Sequence, residues 1–388
     1  MKIFKLKDIS EFIRNGVTIK QDISSKEGIP ITRIETISKG TIDFNKLGYA
    51  NIFKIEKYKE WLLKKGDILI SHINSEKHLG KSAIYLDNNY DIIHGMNLLC
   101  IRAIDKKVFP EYLQLFFKTN QYKKQIKKIT KKSVNQASFS VNDFKEILIT
   151  VPDLNIQEKI IKKIKVLEKI LENNKLKLNY LSELTKSLFT RMFGDIKSND
   201  KNWKIYKFSE KLKISSGGTP SKANKIYWEN GTISWIGSNM CNDEIITKND
   251  GKFITEEGLK NSSAKIYKMN TVIVALVGAT IGKTGLLKFE TSTNQNIAAL
   301  EIKNMDYSPE FLFFLLQNLY YKFTELGGDT FKMANLSFIK NLPLISPPIE
   351  LQNKFAERIE KIEKLKFTIW KIISKVYKIL KKKGVESN

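Results

Sequence analysis

From Ile160 onward, seam positions recur at alternating steps of four and three residues: Ile160, Ile164, Leu167, Leu171, Asn174, Leu178, Leu181, Thr185, Leu188 and Met192. That 3.5-residue period lays these side chains along one narrow seam of a helix. A second stretch repeats the device without a slip through Phe355, Ile359, Ile362, Lys366, Ile369, Ile373, Val376 and Leu380. Heptads sustained this long predict two long helices that pair as a coiled coil, and each is the other's natural partner. For the second to reach the first across the residues between them, the pair has to run antiparallel. The competing arrangement lays each helix on its own neighbouring domain, which asks for a broader apolar stripe. Asn174 and Lys366 interrupt the seams with polar groups, a device that fixes register at a cost in stability. At ~1.5 Å per residue the stretch 155–193 would span ~60 Å, about 17 steps of B-form DNA, so the pair is expected to act as a spacer.

Ahead of each seam the apolar residues come in short runs bounded by turn formers. Runs at Ile29–Ile34, Asp67–Ser71 and Asn97–Arg102, punctuated by Gly28, Gly66 and Gly95, predict strands, and Pro110–Ile129 predicts a helix. The course repeats later, with strands expected at Ile233–Ile236, Thr271–Val277 and Ile297–Ile302 and a helix at Pro309–Leu326. The echoes keep their order: Lys2–Leu6 with Lys204–Phe208, Gly28–Ile34 with Gly231–Ile236, Pro110–Leu113 with Pro309–Leu312, and Pro152, Gln157 and Lys159 with Pro347, Gln352 and Lys354. The offset drifts from 202 to 195, as loop insertions and deletions within two copies of one fold make it drift. The expected fold class is therefore α+β, with two tandem α/β domains in a pseudo-twofold arrangement: domain one at 1–152, a helix at 153–194, domain two at 195–347 and a helix at 348–384.

With 388 residues, 42% of them hydrophobic, each copy is large enough to bury its own core. No run approaches the ~18 apolar residues of a membrane span, and the N-terminus lacks the apolar stretch of a signal peptide, so a cytosolic protein is expected. Cys100 and Cys241 stand far apart in different copies and support neither a disulfide framework nor a cysteine zinc site. The formal charge of +25 points to a polyanion such as nucleic acid. Only five arginines accompany 61 lysines, the usage of an AT-rich genome, which explains lysine over arginine but not so large a basic excess.

Catalytic patterns are sparse. Gly278–Thr284 has three residues between its glycines where a phosphate-binding loop needs four, and a strand-like run follows where a helix N-terminus is required. A DNA contact or a plain hairpin suits it better. Ser216–Lys222 is a glycine-rich turn with hydroxyls and a lysine, suited either to phosphate or to structure alone. Tyr227, Trp228 and Trp235 after it read as core. His72, His78 and His94 with Cys100 do not make a metal set, and His72 and His78 are expected as loop donors. Asp153 and the Asp195–Lys197 segment do not assemble a nuclease centre, and no nucleophile–base arrangement is visible.

Taken in order, Ser216–Lys222 with Tyr227 and Trp228, Gly231–Ile236, Val277–Lys283 and Asn335–Pro348 leading to Gln352 resemble the specificity subunit of type I restriction-modification enzymes. Gly28–Ile34, Gly66–Ser71 and Ser140–Pro152 match the same pattern in the first copy. The resemblance implies two target-recognition domains reading the halves of a split double-stranded DNA site, and two conserved helices forming an antiparallel coiled coil. It implies as partners two modification (methyltransferase) subunits, using S-adenosylmethionine, and restriction/translocase subunits, using ATP and Mg; no cofactor and no catalysis are expected in this chain. Repeat, charge and resemblance together nominate DNA contacts at Ser71, His72, Asn74, Lys77, His78 and Lys81 in the first copy. In the second they nominate Gly217, Gly218, Thr219, Ser221, Lys222, Ser238, Asn239, Gly278, Thr280, Gly282 and Lys283. Where the second copy has Gly278–Lys283 the first has the longer Ser71–Lys81, without the first glycine. Two other classes stay open: an NTPase or the specificity part of a fused nuclease or other methyltransferase system, and a noncatalytic coiled-coil scaffold.

Overall fold

The structure is a computed structural model that describes residues 1–20, 27–38, 40–87, 90–134, 136–326 and 333–382. The chain divides into two compact units, one of Met1–Leu176 with the chain from Ile369 onward, the other of Lys177–Thr368.

In the first unit the strands are β1 (Lys2–Lys5), β2 (Ser10–Asn15), β3 (Ile68–Ser71), β4 (Ile73–Asn74), β5 (Ser82–Ile84), β6 (Leu98–Ala103), β7 (Lys131–Lys132), β8 (Ala137–Ser138) and β9 (Leu148–Val151). The main sheet, in the order β2-β6-β3-β5, is antiparallel throughout. Its central strands are near-continuous apolar runs because both faces are covered. Ile68, Ile70, Leu99 and Ile101 pack on one side with Phe116, Tyr122 and Phe144. Leu69, Leu98 and Cys100 pack on the other with Tyr85 and Ile92. Arg102 donates twice to the buried Asp67 carboxylate, at 2.7 Å each, leaving neither charge alone inside. Pairing of β1 with β9 brings the start of the domain to its last strand.

The helix expected over 110–129 is two, α1 (Pro110–Phe116) and α2 (Asn120–Ile129). Thr119 breaks it: extended, with its hydroxyl accepting from the Tyr122 amide at 3.2 Å, it caps a new helix. A short α3 (Val141–Lys145) precedes β9, and α4 (Leu154–Phe193) follows it. The strand expected at Ile29–Ile34 is reduced to bridges at Ile31, because Gly28 sits at φ +89° and Pro30 cannot donate to a ladder.

The second unit repeats this plan with β10 (Ile205–Lys207), β11 (Leu212–Ser216), β12 (Ile233–Ile236), β13 (Glu244–Ile246), β14 (Phe253–Ile254), β15 (Ile266–Tyr267), β16 (Val272–Ala275), β17 (Thr284–Leu287), β18 (Thr291–Thr293), β19 (Ile297–Ile302) and β20 (Pro343–Ile345). Its helices are α5 (Phe208–Lys211), α6 (Glu256–Lys260), α7 (Pro309–Asn318), α8 (Tyr320–Thr324), α9 (Leu336–Lys340) and α10 (Ile349–Lys382). The helix expected over 309–326 is again divided, into α7 and α8. The main sheet runs β11-β19-β16-β17-β13 and β10 pairs with β20, the counterparts of the first unit's sheet and closing pair, with β13 added in parallel. A smaller sheet, β14-β12-β18-β15, mixes parallel and antiparallel pairs. The first unit holds the same connections as single bridges: Ile31 to Gly48 antiparallel, Ile31 to Ile93 parallel, Leu62 to Ile93 antiparallel.

The duplicated glutamines join each domain to its long helix. Gln157, fully buried, accepts from the Phe109 amide at 2.9 Å and donates to the carbonyls of Lys107 and Pro152 at 3.1 and 2.8 Å. Gln352 accepts from the Ser308 amide at 2.9 Å and donates to Asp306 and Pro347 at 3.2 and 2.9 Å. Each amide thus satisfies three backbone groups, one N–H at the start of a helix and two carbonyls, beside its own buried side chain.

The long helices pair within each unit. In the second, Phe189 and Phe193 of α4 meet Phe355 of α10 at 5.6 and 5.3 Å between ring centroids, and Arg358 reaches Met192. In the first, Lys175 lies over the ring of Tyr377 at 5.8 Å. Late α4 with early α10 and earlier α4 with late α10 is the antiparallel order. In α10 the expected seam is the buried one, with Phe355, Ile359, Ile362, Ile373, Val376 and Leu380 all under 9% exposed and Lys366 and Ile369 half-buried. In α4 it holds through Ile164, Leu171, Asn174 and Thr185 but migrates at both ends. Ile161 is buried where Ile160 is only half-buried, and Phe189 and Phe193 replace Leu188 and Met192, because there α4 also packs on the core around Phe208 and Phe311. The Asn174 amide donates to the Ile170 carbonyl of its own helix at 2.7 Å. No helix among the described residues is long and apolar enough to cross a membrane.

Candidate nucleic-acid interface

The segments singled out in the two copies, Ser71–Lys81 and Gly278–Lys283, form one and the same turn. In the first unit Ser71 N–H donates to the Lys81 carbonyl, Gly80 N–H to Ser71 and Lys81 N–H to His78, at 2.9, 2.7 and 3.3 Å. In the second, Ala275 donates to Lys283, Gly282 to Ala275 and Lys283 to Thr280, at 2.9, 2.9 and 2.8 Å. Gly80 and Gly282 both sit at φ +75°, where an L side chain is strained, and they press on the equivalent helices α2 and α8. A Cβ at Gly80 would meet Ile126 at 3.2 Å, and one at Gly282 would meet Phe323 at 2.8 Å. Two residues beyond the first strand, Ile73 pairs with Ser138 and Val277 with Met333. The extra residues of the first copy are an insertion at the tip of a shared scaffold. A hairpin between antiparallel β16 and β17 also removes the phosphate-loop geometry, since a strand and not a helix follows.

On that scaffold the nominated residues divide. Ser71 and His72 are buried, which corrects the expectation that His72 is a loop donor. Its ring packs on Phe139, and burial holds its pKa below the usual histidine value. His94 is deeper still, pushed down to about 4 by burial. Asn74 lies in β4, half-buried, with its amide on the Ser71 hydroxyl at 3.1 Å. Lys77 is exposed at the tip, and His78 is half-buried beside it. The His78 pKa is lowered first by desolvation and then by the charges of Lys81 and Lys77. Lys81 donates to the Ser38 carbonyl at 3.1 Å.

In the second unit, loops at one end of the two sheets come together. Gly218 N–H donates to the Thr293 carbonyl at 2.8 Å, and the Trp235 indole donates to the Gly218 carbonyl at 3.0 Å. Asn294 N–H donates to Ile236, Leu276 N–H to Asn296, and the Thr219 hydroxyl to Gln295. Gly217 and Gly218 are buried, and a Cβ on either would strike Thr293 or Ser263 within 2.5 Å. Their close approach is to the protein's own chain, which corrects their assignment as glycines opened for DNA. Gly282 is corrected on the same ground. Gly278, at φ +76° with nothing within 4 Å, stands open, as do Ser221 and Lys222. Thr219, Thr280, Ser238 and Asn239 line the rim, joined by Gln295, which the sequence did not single out. Lys283 is held by Asp243 at 2.6 Å, over the Tyr320 ring, and its pKa is raised by that carboxylate. Trp228 and Trp235 pack edge-on at 5.2 Å, with Trp235 buried as expected.

Also missed was a cleft of about 380 Å³ beside the first unit's turn, lined by Lys77, Lys81, Lys118, Lys123 and Lys127 over an apolar floor of Leu79, Phe117, Tyr122 and Ile126. The available signal was the four-residue spacing of lysines in 118–132.

A rim of hydroxyls and amides on rigid turns, flanked by lysines, suits contacts to base edges and phosphates. The model of the type I restriction modification DNA specificity domain matches this chain twice, over residues 1–181 and 200–382. A Methanocaldococcus jannaschii protein named as the MjaX type I restriction enzyme specificity subunit is 30% identical over 385 residues, covering 94% of this chain and 87% of that one. The EcoR124I/EcoR124II specificity subunit of Escherichia coli is 26% identical over 183 residues, covering 44% and 42%. Among solved structures, the type I restriction-modification S subunit of M. genitalium superposes with a TM-score of 0.63 at 14% identity, covering 100% of this chain and 96% of that one, a likeness of fold. With its two specificity domains and two long helices, the chain belongs to the family of type I restriction-modification specificity subunits.

Proposed function

We propose that this chain is the noncatalytic reader of a type I restriction-modification complex, each domain recognising one half of a split, asymmetric duplex DNA site. It acts in the cytoplasm and directs two modification subunits, which methylate adenine from S-adenosylmethionine, and ATP- and Mg-dependent restriction subunits. The observation that carries this reading is the turn built twice. Its backbone hydrogen bonds are the same at 71–81 and 275–283, while its exposed residues differ in number and chemistry. A conserved frame with divergent tips supports two related domains that read different half-sites, since backbone fixes position and side chains fix sequence. Each mismatched base pair would cost about 1–3 kcal/mol, so two short halves add to high selectivity.

The test is a map of adenine methylation in cells with and without this chain, the modification partner being present in both. One new split motif, with two short defined halves and a fixed gap, is the expected result. An unchanged map, with the partner expressed and bound, would overturn the reading in favour of a scaffold.

A further inference from the structure

The two domains are built alike but charged unequally. Residues 1–152 carry 27 lysines and arginines against 16 acids, whereas 195–347 carry 19 against 15. Most of the surplus comes from one segment. Between Lys118 and Lys132 there are seven lysines and no acid. On α2 the buried face is Tyr122 and Ile126, which leaves Lys123, Lys124, Lys127 and Lys128 exposed, and β7 adds Lys131 and Lys132 beside them. Lys118 is held by Glu168 at 3.1 Å and Lys132 by Glu76 at 2.9 Å. Lys77, Lys124, Lys127, Lys128 and Lys131 enter no ion pair among the described residues. The tip of the turn, through Lys77, and α2, through Lys127, thus face one cleft from two sides with ammonium groups in no ion pair, while Glu76 on its wall is taken by Lys132.

At the corresponding place the second unit has the opposite character. Lys283 is held by Asp243 at 2.6 Å, and Lys322, the one lysine of α8, by Glu325 at 3.5 Å. What remains on its rim is one exposed lysine in no ion pair among the described residues, Lys222, among neutral groups: Thr219, Ser238, Asn239 and Gln295.

Resting on the reading of the chain as a DNA-specificity subunit, we infer that the two domains hold DNA with unequal electrostatic weight. The cleft between the 75–82 turn and α2 of the first domain grips duplex phosphates, while the second domain engages its half-site mainly through neutral hydrogen-bonding groups. A phosphate is the group that unpaired lysines around a groove recognise, and each one neutralised releases condensed counterions. Most of the salt dependence of binding therefore originates in the first domain.

The experiment uses the full chain assembled with its modification subunits and a fluorescent random-sequence DNA duplex, with affinity measured across salt concentrations. The double variant Lys77→Ala/Lys127→Ala is expected to lower the slope of log affinity against log salt by about 2. The charge-preserving variant Lys77→Arg/Lys127→Arg is expected to keep the slope. Lys283→Ala/Lys322→Ala should lower it by less than about one, because those charges are already offset within the protein. A first-domain alanine pair with an unchanged slope, or a second-domain pair that lowers it equally, overturns the inference. Loss of the slope in the arginine variant does so too, since the effect would then be structural. Wild-type complex that binds DNA without salt dependence would instead overturn the underlying reading, and is distinguishable from these because it needs no variant.

Discussion

His94 lies 1% exposed beneath Trp61, with its Nε2 2.8 Å from the Leu98 carbonyl, so Nε2 carries the proton and donates. Nδ1 faces the interior without a partner, and protonating it would bury an unpaired donor with a charge. The folded state therefore holds the ring neutral, with a pKa of about 4, where an unfolded chain titrates near 6.5. A depressed histidine stabilises the fold fully above the unfolded value, and that stability is lost as pH falls from 6.5 toward 4, reaching about 3 kcal/mol. All three histidines lie in the first domain. Hydrogen-exchange protection of β6, corrected for intrinsic rates, is expected to fall across that window while that of β19 does not. The glycines show what a sequence conveys at this scale. Gly217, Gly218 and Gly282 are legible as positions of close approach, and that is what they are. Their spacing does not say whether the approaching group is a ligand or the protein itself, because both demand the same missing Cβ. His72 was misplaced for a related reason: between β3 and β4 a polar residue reads as a loop, and only the packing of Phe139 puts it inside.

Among the elements, the buried amides of Gln157 and Gln352 are the joints between domain and helix. Replacing either by leucine keeps the volume but strands one amide and two carbonyls in the interior, at a cost of about 3 kcal/mol. Thermal unfolding should register each change as a fall of roughly 6–12 °C in the unit that contains it, with the other unit unmoved. The sequence displayed these glutamines as a repeated spacing after proline without showing their task, since two of the three backbone groups each one satisfies lie about fifty residues away. Helix limits were less legible. Apolar periodicity runs through Thr119, and the break there depends on a cap that outcompetes one more turn. The seams were read well where helix packs only on helix. They drifted where α4 also meets the second core, for there Phe189 and Phe193 answer to two surfaces.

At the scale of the molecule, duplication was the most legible property, because two copies that keep their order constrain each other. The small sheet that is regular in one unit and reduced to bridges in the other was hidden, since Gly28 and Pro30 interrupt its ladder without altering its path. The make-up of the units bears on how the chain is produced. The first is not a continuous stretch: it takes in residues from Ile369 onward, where Ile373, Val376 and Leu380 are buried. A ribosome therefore completes the entire second domain before it delivers the last piece of the first. During that interval the seam of early α4, with Ile164 and Leu171, has no cover. A chain stopped after residue 348 is expected to keep the first domain's sheet yet aggregate, and a separately supplied 349–388 peptide to restore its solubility, measured by sedimentation. Of the two units, the one begun earlier is the one finished later.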